Sequence, residues 1–204
     1  MTSIGRAPTI ADAASIGDAV ITRLGHHSSM DVVLETPRLR LRRMVMRDLD
    51  FVASMLGDPL VMRFYPGVQD REESAEWIRR QRDRYLDDGH GLWLMVERAT
   101  GAPCGQIGLC MQRVSGLDVP EIGYLVHRPY WRRGYATEAA LATRAFAFDA
   151  RGYARVVSLI RPENLPSQGV ARKLGMRPGP IVEHGGLPHA IFSVERRALA
   201  RRRT

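Results

Sequence analysis

The chain has 204 residues, 45% hydrophobic and 25% charged, which suits one soluble domain with a substantial core and contains no apolar run near the roughly 20 residues of a membrane span. Its net charge of +8 is almost wholly arginine, because Lys173 is the single lysine. That bias reads as GC-rich coding and a solvated arginine surface; basicity is left over for an anionic ligand, but the lack of a lysine-rich tract or nucleic-acid motif argues against a nucleic-acid partner.

Residues 1–29 are rich in Ala, Ser, Gly and Thr and lack aromatics, so an extension outside the core is expected, with a weak helical register from Ile10 to Leu24 as the alternative. The folded domain is expected over 30–198 and a basic tail over 199–204. "VVLETPRLRLRRM" alternates around Leu39 and Leu41 as a strand, and "DLDFVASMLGDP" has helical spacing up to Gly57. Ser74 to Asp88 reads as a longer amphipathic helix with Ser74 as its cap and Gly89 as its stop. "GLWLMVERATGAPCGQIGLCMQRV" predicts two strands around Ala99-Thr100-Gly101, and "VPEIGYLVHRPY" another strand. A helix from Thr137 to Phe148, the strand "ARVVSLIRP", a short helix from Pro166 to Leu174 and the strand "HAIFSVERRAL" complete the order β-α-α-β-β-β-α-β-α-β. The class is α/β, a mixed sheet with helices packed on it.

Cys104 and Cys110 fall in one strand, roughly 20 Å apart and beyond the roughly 7 Å limit of a disulfide, so both read as buried thiols. The histidines and cysteines lack zinc-ligand spacing, so no metal is expected, and without a secretory signal the reducing cytoplasm is the default location.

"YWRRGYATEAA", Tyr130 to Ala140, sets two arginines and a glycine where a helix begins. A helix start has unpartnered N–H groups and partial positive charge, and so attracts anions. Gly134 admits a phosphate close to the backbone, Arg132 and Arg133 add charged donors, and Tyr135, Ala136 and Thr137 continue the row of N–H groups. The plainer alternative is a turn whose arginines face water. Neither GxxxxGK[ST] nor GxGxxG occurs, which excludes the common nucleotide loops.

With "LETPRLRLRRM" before this stretch, "EIGYLVHRPYWRRGYATEA" across it and "RPENLPSQGVARKLGM" after it, the chain from Val32 to Val194 resembles the GNAT acyl-CoA N-acyltransferases. Within that family it is similar to the ribosomal-protein N-terminal acetyltransferases. The resemblance implies a twisted, mostly antiparallel sheet of about six to seven strands flanked by about four helices. It also implies acetyl-CoA as cosubstrate. The family's Arg/Gln-x-x-Gly-x-Gly/Ala diphosphate signature has Gly134 and Ala136 in its last two positions and Trp131 in its first.

Acetyl transfer to an amine needs a neutral amine, a stabilised oxyanion and a proton for the departing thiolate. The resemblance puts Leu125 and Val126 on the strand whose backbone contacts the coenzyme arm and thioester, and Asn164 on the arm. Glu121, at the head of that strand, is the general-base candidate, with an exposed carboxylate paired to an arginine as the alternative. Glu138 reads as a structural pairing. The tyrosine that many family members use as general acid is replaced by Ala171; Ser167 matches the serine of the resembling branch and alternatively caps a helix. No serine or cysteine has a base beside it in sequence, favouring direct attack in a ternary complex.

Phe64, Tyr65, Trp77, Trp93, His184 and His189 are candidates for the acceptor pocket or the core. The acceptor is a primary amine on a protein N-terminus or a small molecule; a homodimer stays open. Two competing readings are a noncatalytic acyl-CoA-binding regulatory module, suggested by the missing tyrosine, and an RNA- or ribosome-associated protein using the arginine surface.

Overall fold

The computed structural model describes residues 32–196. The expected extension over 1–29 and the basic tail over 199–204 lie outside the described residues.

The first segment is a hairpin rather than one strand. β1 (Val32–Glu35) and β2 (Leu39–Arg42) pair antiparallel around Thr36 and Pro37. Leu39 N donates to the Thr36 hydroxyl at 3.0 Å, Thr36 N donates to Leu39 O at 2.9 Å, and Pro37 has no N–H for a continuing ladder. Helix α1 (Leu49–Leu56) stops at Gly57. Helix α2 (Arg71–Asp87) is capped by Asp70 and not by Ser74: Glu73 N donates to the Asp70 carboxylate and Asp70 N to the Glu73 carboxylate, each at 2.8 Å. Ser74 is buried and its hydroxyl donates to the Asp70 carbonyl.

β3 (Leu92–Glu97) and β4 (Pro103–Val114) form the expected hairpin, and β4 returns as β5 (Leu117–Val126). Helix α3 (Tyr135–Ala145) starts two residues before Thr137 and ends in a π-helical turn, Phe146–Ala150. β6 (Arg155–Ile160), helix α4 (Leu165–Lys173), β7 (Arg177–His184) and β8 (Leu187–Glu195) follow. β7 is absent from the sequence reading because Pro178, Gly179 and Pro180 speak against a strand. It lies at the sheet edge, where a proline costs no ladder bond on the open side.

Among the described residues, eight strands run in the order β1-β2-β3-β4-β5-β6-β8-β7. All neighbours are antiparallel except β5 and β6. The unbroken apolar run Leu92-Trp93-Leu94-Met95 reflects a strand covered on both faces. Leu92 and Leu94 pack with Val52, Met55, Leu56 and Ile78 of α1 and α2, whereas Trp93 and Met95 pack with Ala139 and Ala140 of α3 and with Phe192. Cys104 and Cys110 are free, buried and in different clusters. β3 meets β4 so closely that a Cβ on Gly108 would fall 1.9 Å from the Gly91 carbonyl oxygen.

Arg42 and Asp48 tie β2 to the turn before α1 through two buried bonds of 2.6 and 2.7 Å, and Asp48 also accepts from Val45 N at 2.9 Å. Removing one partner strands the other charge. Asp48→Ala is expected to lower unfolding free energy by about 3–5 kcal/mol in urea titration, and a loss below about 1 kcal/mol would show that water replaces the carboxylate.

Candidate active site

The site begins where the sheet comes apart. β5 and β6 run parallel and pair at one position, Glu121 with Val157. His127 N donates to Cys104 O at 2.9 Å, so His127, Leu125 and Gly123 turn their backbone groups to β4, while Val126, Tyr124 and Ile122 turn theirs to the gap. Leu125 is thereby corrected as a backbone contact: its N–H and C=O belong to the pairing with Gln106, and only its side chain reaches the cleft.

Side chains take up backbone groups that a continuing ladder would pair. Ser158 Oγ donates to Ile122 O at 2.7 Å, and Leu159 N donates to the Glu121 carboxylate at 3.1 Å. The Trp131 indole donates to Val126 O at 2.6 Å, leaving the Val126 N–H facing the gap. Glu121 thus lies inside β5, not at its head, and is half-buried and bound by Gln112 Nε2 at 2.8 Å rather than by an arginine.

Two clefts open from the gap. One, of about 640 Å³, runs between Tyr124–Val126, α4 and the start of α3. Trp131, Arg132, Gly134, Tyr135, Ala136 and Thr137 all line it. Gly134 is the N-cap of α3 in the left-handed region at φ 81°, with no side-chain cap, so the first N–H groups of the helix have no capping acceptor. Arg132 is also left-handed, at φ 61°, an uncommon conformation for a non-glycine residue. Those uncapped donors beside the cation of Arg132 fit the diphosphate of a coenzyme. Arg133 does not line this cleft: its guanidinium lies 3.6 Å from Glu97 and over the Tyr130 ring.

A charged lattice holds this loop. The Glu138 carboxylate accepts from Thr36 Oγ1 at 2.6 Å, from Arg38 N at 2.9 Å and from Arg38 Nε at 2.6 Å; Arg38 NH1 in turn donates to Arg133 O at 2.9 Å. Burial tends to raise the Glu138 pKa, but the bonds from Thr36 and Arg38 outweigh it and hold the carboxyl below its ordinary 4.5. The Tyr135 hydroxyl donates to the Glu97 carboxylate, which draws the Glu97 pKa down.

The second cleft, of about 330 Å³, is lined by Glu121, Gln112, Phe64, Tyr65, Trp77, His184 and His189. Trp93, the remaining aromatic candidate, is instead a core residue, 1% exposed. Phe64, Tyr65, Tyr124, Asn164 and Ser167 line both clefts and mark their junction. Asn164, not Ser167, caps α4: its Oδ1 accepts from Ser167 N at 3.1 Å. The Tyr124 hydroxyl donates to Ser167 O at 2.8 Å, and burial pushes its pKa well up, so it stays protonated. Tyr124, Arg63 and Lys173 were not singled out as site residues from sequence, although all three line the larger cleft. Lys173 had a signal in being the single lysine and Arg63 in adjoining the aromatic candidates Phe64 and Tyr65; Tyr124 had none.

A sheet split beside a helix start, with two adjoining clefts that meet at shared lining residues, offers room for two ligands next to each other. Residues 38–177 match the acetyltransferase (GNAT) domain, and the chain belongs to that family. It is 35% identical over 160 residues to YkkB of Bacillus subtilis, an uncharacterized protein, covering 78% of this chain and 93% of that one. The acetyltransferase from Agrobacterium tumefaciens superposes with a TM-score of 0.72 at 25% identity, covering 86% of this chain and 100% of that one. The fold is shared with RimL, a ribosomal L7/L12 alpha-N-protein acetyltransferase solved with coenzyme A, at a TM-score of 0.65 and 15% identity over 78% of this chain and 95% of that one. Family membership makes the chain an acetyltransferase and implies acetyl-CoA as the donor. Among the described residues, no helix is long and apolar enough to cross a membrane, and no cluster of three His, Cys, Asp or Glu could hold a metal.

Gly134→Val puts a β-branched residue at a positive φ and is expected to abolish the rise in melting temperature that coenzyme A gives the parent protein, a gain on the order of 2.7 kcal/mol at 100 times Kd. An undiminished rise would place the diphosphate elsewhere. Because the folded pKa of Glu138 is depressed, its contribution is full above the unfolded value and is lost as pH falls through the folded one. The melting difference between parent and Glu138→Gln is therefore expected to be largest near neutrality and to shrink below pH 4.5; a difference constant to acid pH would contradict that assignment.

Proposed function

We propose that the protein moves an acetyl group from acetyl-CoA to a primary amine, on a protein N-terminus or a small molecule, by direct attack in a ternary complex in the cytoplasm. The observation that carries this reading is the junction of the two clefts, with Glu121 on the smaller side and the uncapped start of α3 on the larger.

Bound acetyl-CoA supplies an activated thioester carbonyl. The N–H groups of Tyr135, Ala136 and Thr137, with Arg132, hold the diphosphate, and Asn164 and Val126 line the path of the arm toward the junction. The Val126 N–H is available to the thioester oxygen, where negative charge grows during attack. Glu121 accepts two hydrogen bonds from the protein, which leaves lone pairs to take the amine's proton directly or through water. The Ser167 hydroxyl lies at the junction and hydrogen-bonds the departing sulfur, water supplying the proton. Overall, the carbon–sulfur bond breaks, the carbon–nitrogen bond forms, and the amine's proton leaves as the thiolate gains one.

A covalent acyl-enzyme is disfavoured. Burial pushes the thiols of Cys104 and Cys110 up to about 12, so neither is a thiolate near neutrality. The residue at the general-acid position of many relatives, Ala171, is buried and offers no proton; that favours the second reading, a binding module without turnover.

Free-thiol release from acetyl-CoA with a panel of amines separates the two readings. Glu121→Gln is expected to lower kcat by about 10²-fold or more while coenzyme A binding persists. Turnover that survives the substitution would remove Glu121 as the base, and coenzyme binding without thiol release from any amine would leave the module.

A further inference from the structure

The smaller cleft contains a cation that acetyl transfer by itself does not require. Arg84 lies in the last turn of α2 and lines this cleft. Its NH1 donates to Gln81 Oε1 at 3.4 Å and to the Cys110 thiol at 3.2 Å, both weak contacts. Among the described residues no carboxylate pairs with it, whereas Arg71 and Arg79 of the same helix pair with Asp50 and Glu76 at 2.7 and 2.8 Å. Arg161 also lines the cleft, but Glu163 answers its charge at 2.6 Å. Arg161 Nε is buried without a partner, but of the two guanidinium groups lining the cleft Arg84 is the one whose charge no carboxylate answers.

Its position is set against Glu121. Cys110 on β4 stands opposite Glu121 on β5 in the register. The thiol touched by Arg84 therefore belongs to the cross-strand partner of the proposed base, and both charges are felt there: after burial, Arg84 and Glu121 are the leading influences on the thiol, with opposite sign. The two charges form no ion pair with each other; Glu121 is bound by Gln112 and Leu159 instead. A cleft with an anion and a cation held apart beside one neutral side chain matches a ligand that carries both charges. Phe64, Tyr65 and Trp77 supply apolar surface beside them, and about 330 Å³ is at the small end of ligand pockets.

We propose that the acceptor is an amino-carboxylate with an apolar or aromatic body, its amine directed to Glu121 and its carboxylate bound by Arg84. This rests on the acetyl-transfer reading of the two clefts and names its substrate class. A free amino acid carries its carboxylate on the carbon bearing the amine; a peptide N-terminus has a neutral amide there. A guanidinium without a carboxylate partner separates the two, because charge-assisted bonds are the stronger ones and a planar fork suits a carboxylate.

The test compares phenylalanine, leucine and methionine with their C-terminal amides. Binding is read as a melting shift of the protein saturated with coenzyme A, and turnover as thiol release from acetyl-CoA. The acids are expected to stabilise the protein at concentrations about tenfold lower than the amides, Arg84→Gln to erase that preference, and Arg84→Lys to retain part of it. In turnover the Arg84→Gln effect is expected in the KM of the acids, with coenzyme A affinity unaltered. Equal binding of acids and amides by the parent protein overturns the proposal. So does an acid preference that survives Arg84→Gln, or an Arg84→Gln protein that weakens acids and amides alike, the mark of a merely structural arginine. Acid-selective binding without thiol release would sink the transfer reading and leave the binding assignment standing. Acetylation of a peptide N-terminus with no binding of amino acids would do the reverse.

Discussion

The site depends on one interrupted ladder. Past the pairing of Glu121 with Val157, parallel neighbours β5 and β6 would next bond Leu159 N to Ile122 O. Each group is taken by a side chain instead, Leu159 N by the Glu121 carboxylate and Ile122 O by the Ser158 hydroxyl. Splitting a sheet elsewhere would leave buried backbone groups without partners, at a cost of about 1–3 kcal/mol each. Here the split is stabilised by the residues that line it. The same carboxylate that takes the Leu159 N–H at the split lines the smaller cleft, so one side chain serves both the opening of the sheet and the cleft wall.

The other end of the larger cleft depends on a different constraint. An uncapped helix start with a left-handed glycine is poorly determined locally, and the surrounding charges determine it. Glu138, one turn into α3, is fastened to the β1–β2 turn by Thr36 and Arg38, and Arg38 also reaches the Arg133 carbonyl. A guanidinium over the Tyr135 ring adds a contact at 4.9 Å to the centroid. The short turn at Pro37 therefore has a long-range role. It places Arg38 where the loop needs support, which explains why β1 and β2 are two strands and not one.

Arginine has several uses in this chain. Many arginines form exposed pairs such as Arg40 with Glu35 or Arg113 with Asp118, each of little energetic consequence in water. A few are placed: Arg42 is buried against Asp48, Arg38 braces the loop, and Arg132 and Arg63 line the larger cleft. Net charge alone cannot separate these uses, since a solvated arginine and a ligand-facing one look the same in composition.

Much of the architecture was legible in the amino-acid order. Periodicities located the four α-helices of the described residues, the β3–β4 hairpin followed from Ala99-Thr100-Gly101, and Gly134 marked the start of α3. Those features are local, governed by side-chain period, turn residues and helix starts. Tertiary structure decided the rest. β7 exists because an edge strand tolerates Pro178 and Pro180. Leu125 and Val126 differ because strand pairing, unseen in sequence, turns adjacent backbone groups in opposite directions. Arg133 stays out of the larger cleft's lining and lies beside Glu97, distant in the chain. The sequence by itself determined which segments form elements and that a glycine flanked by arginines opens α3. Only the fold decided which atoms face the gap between β5 and β6, because that depends on partners many residues away.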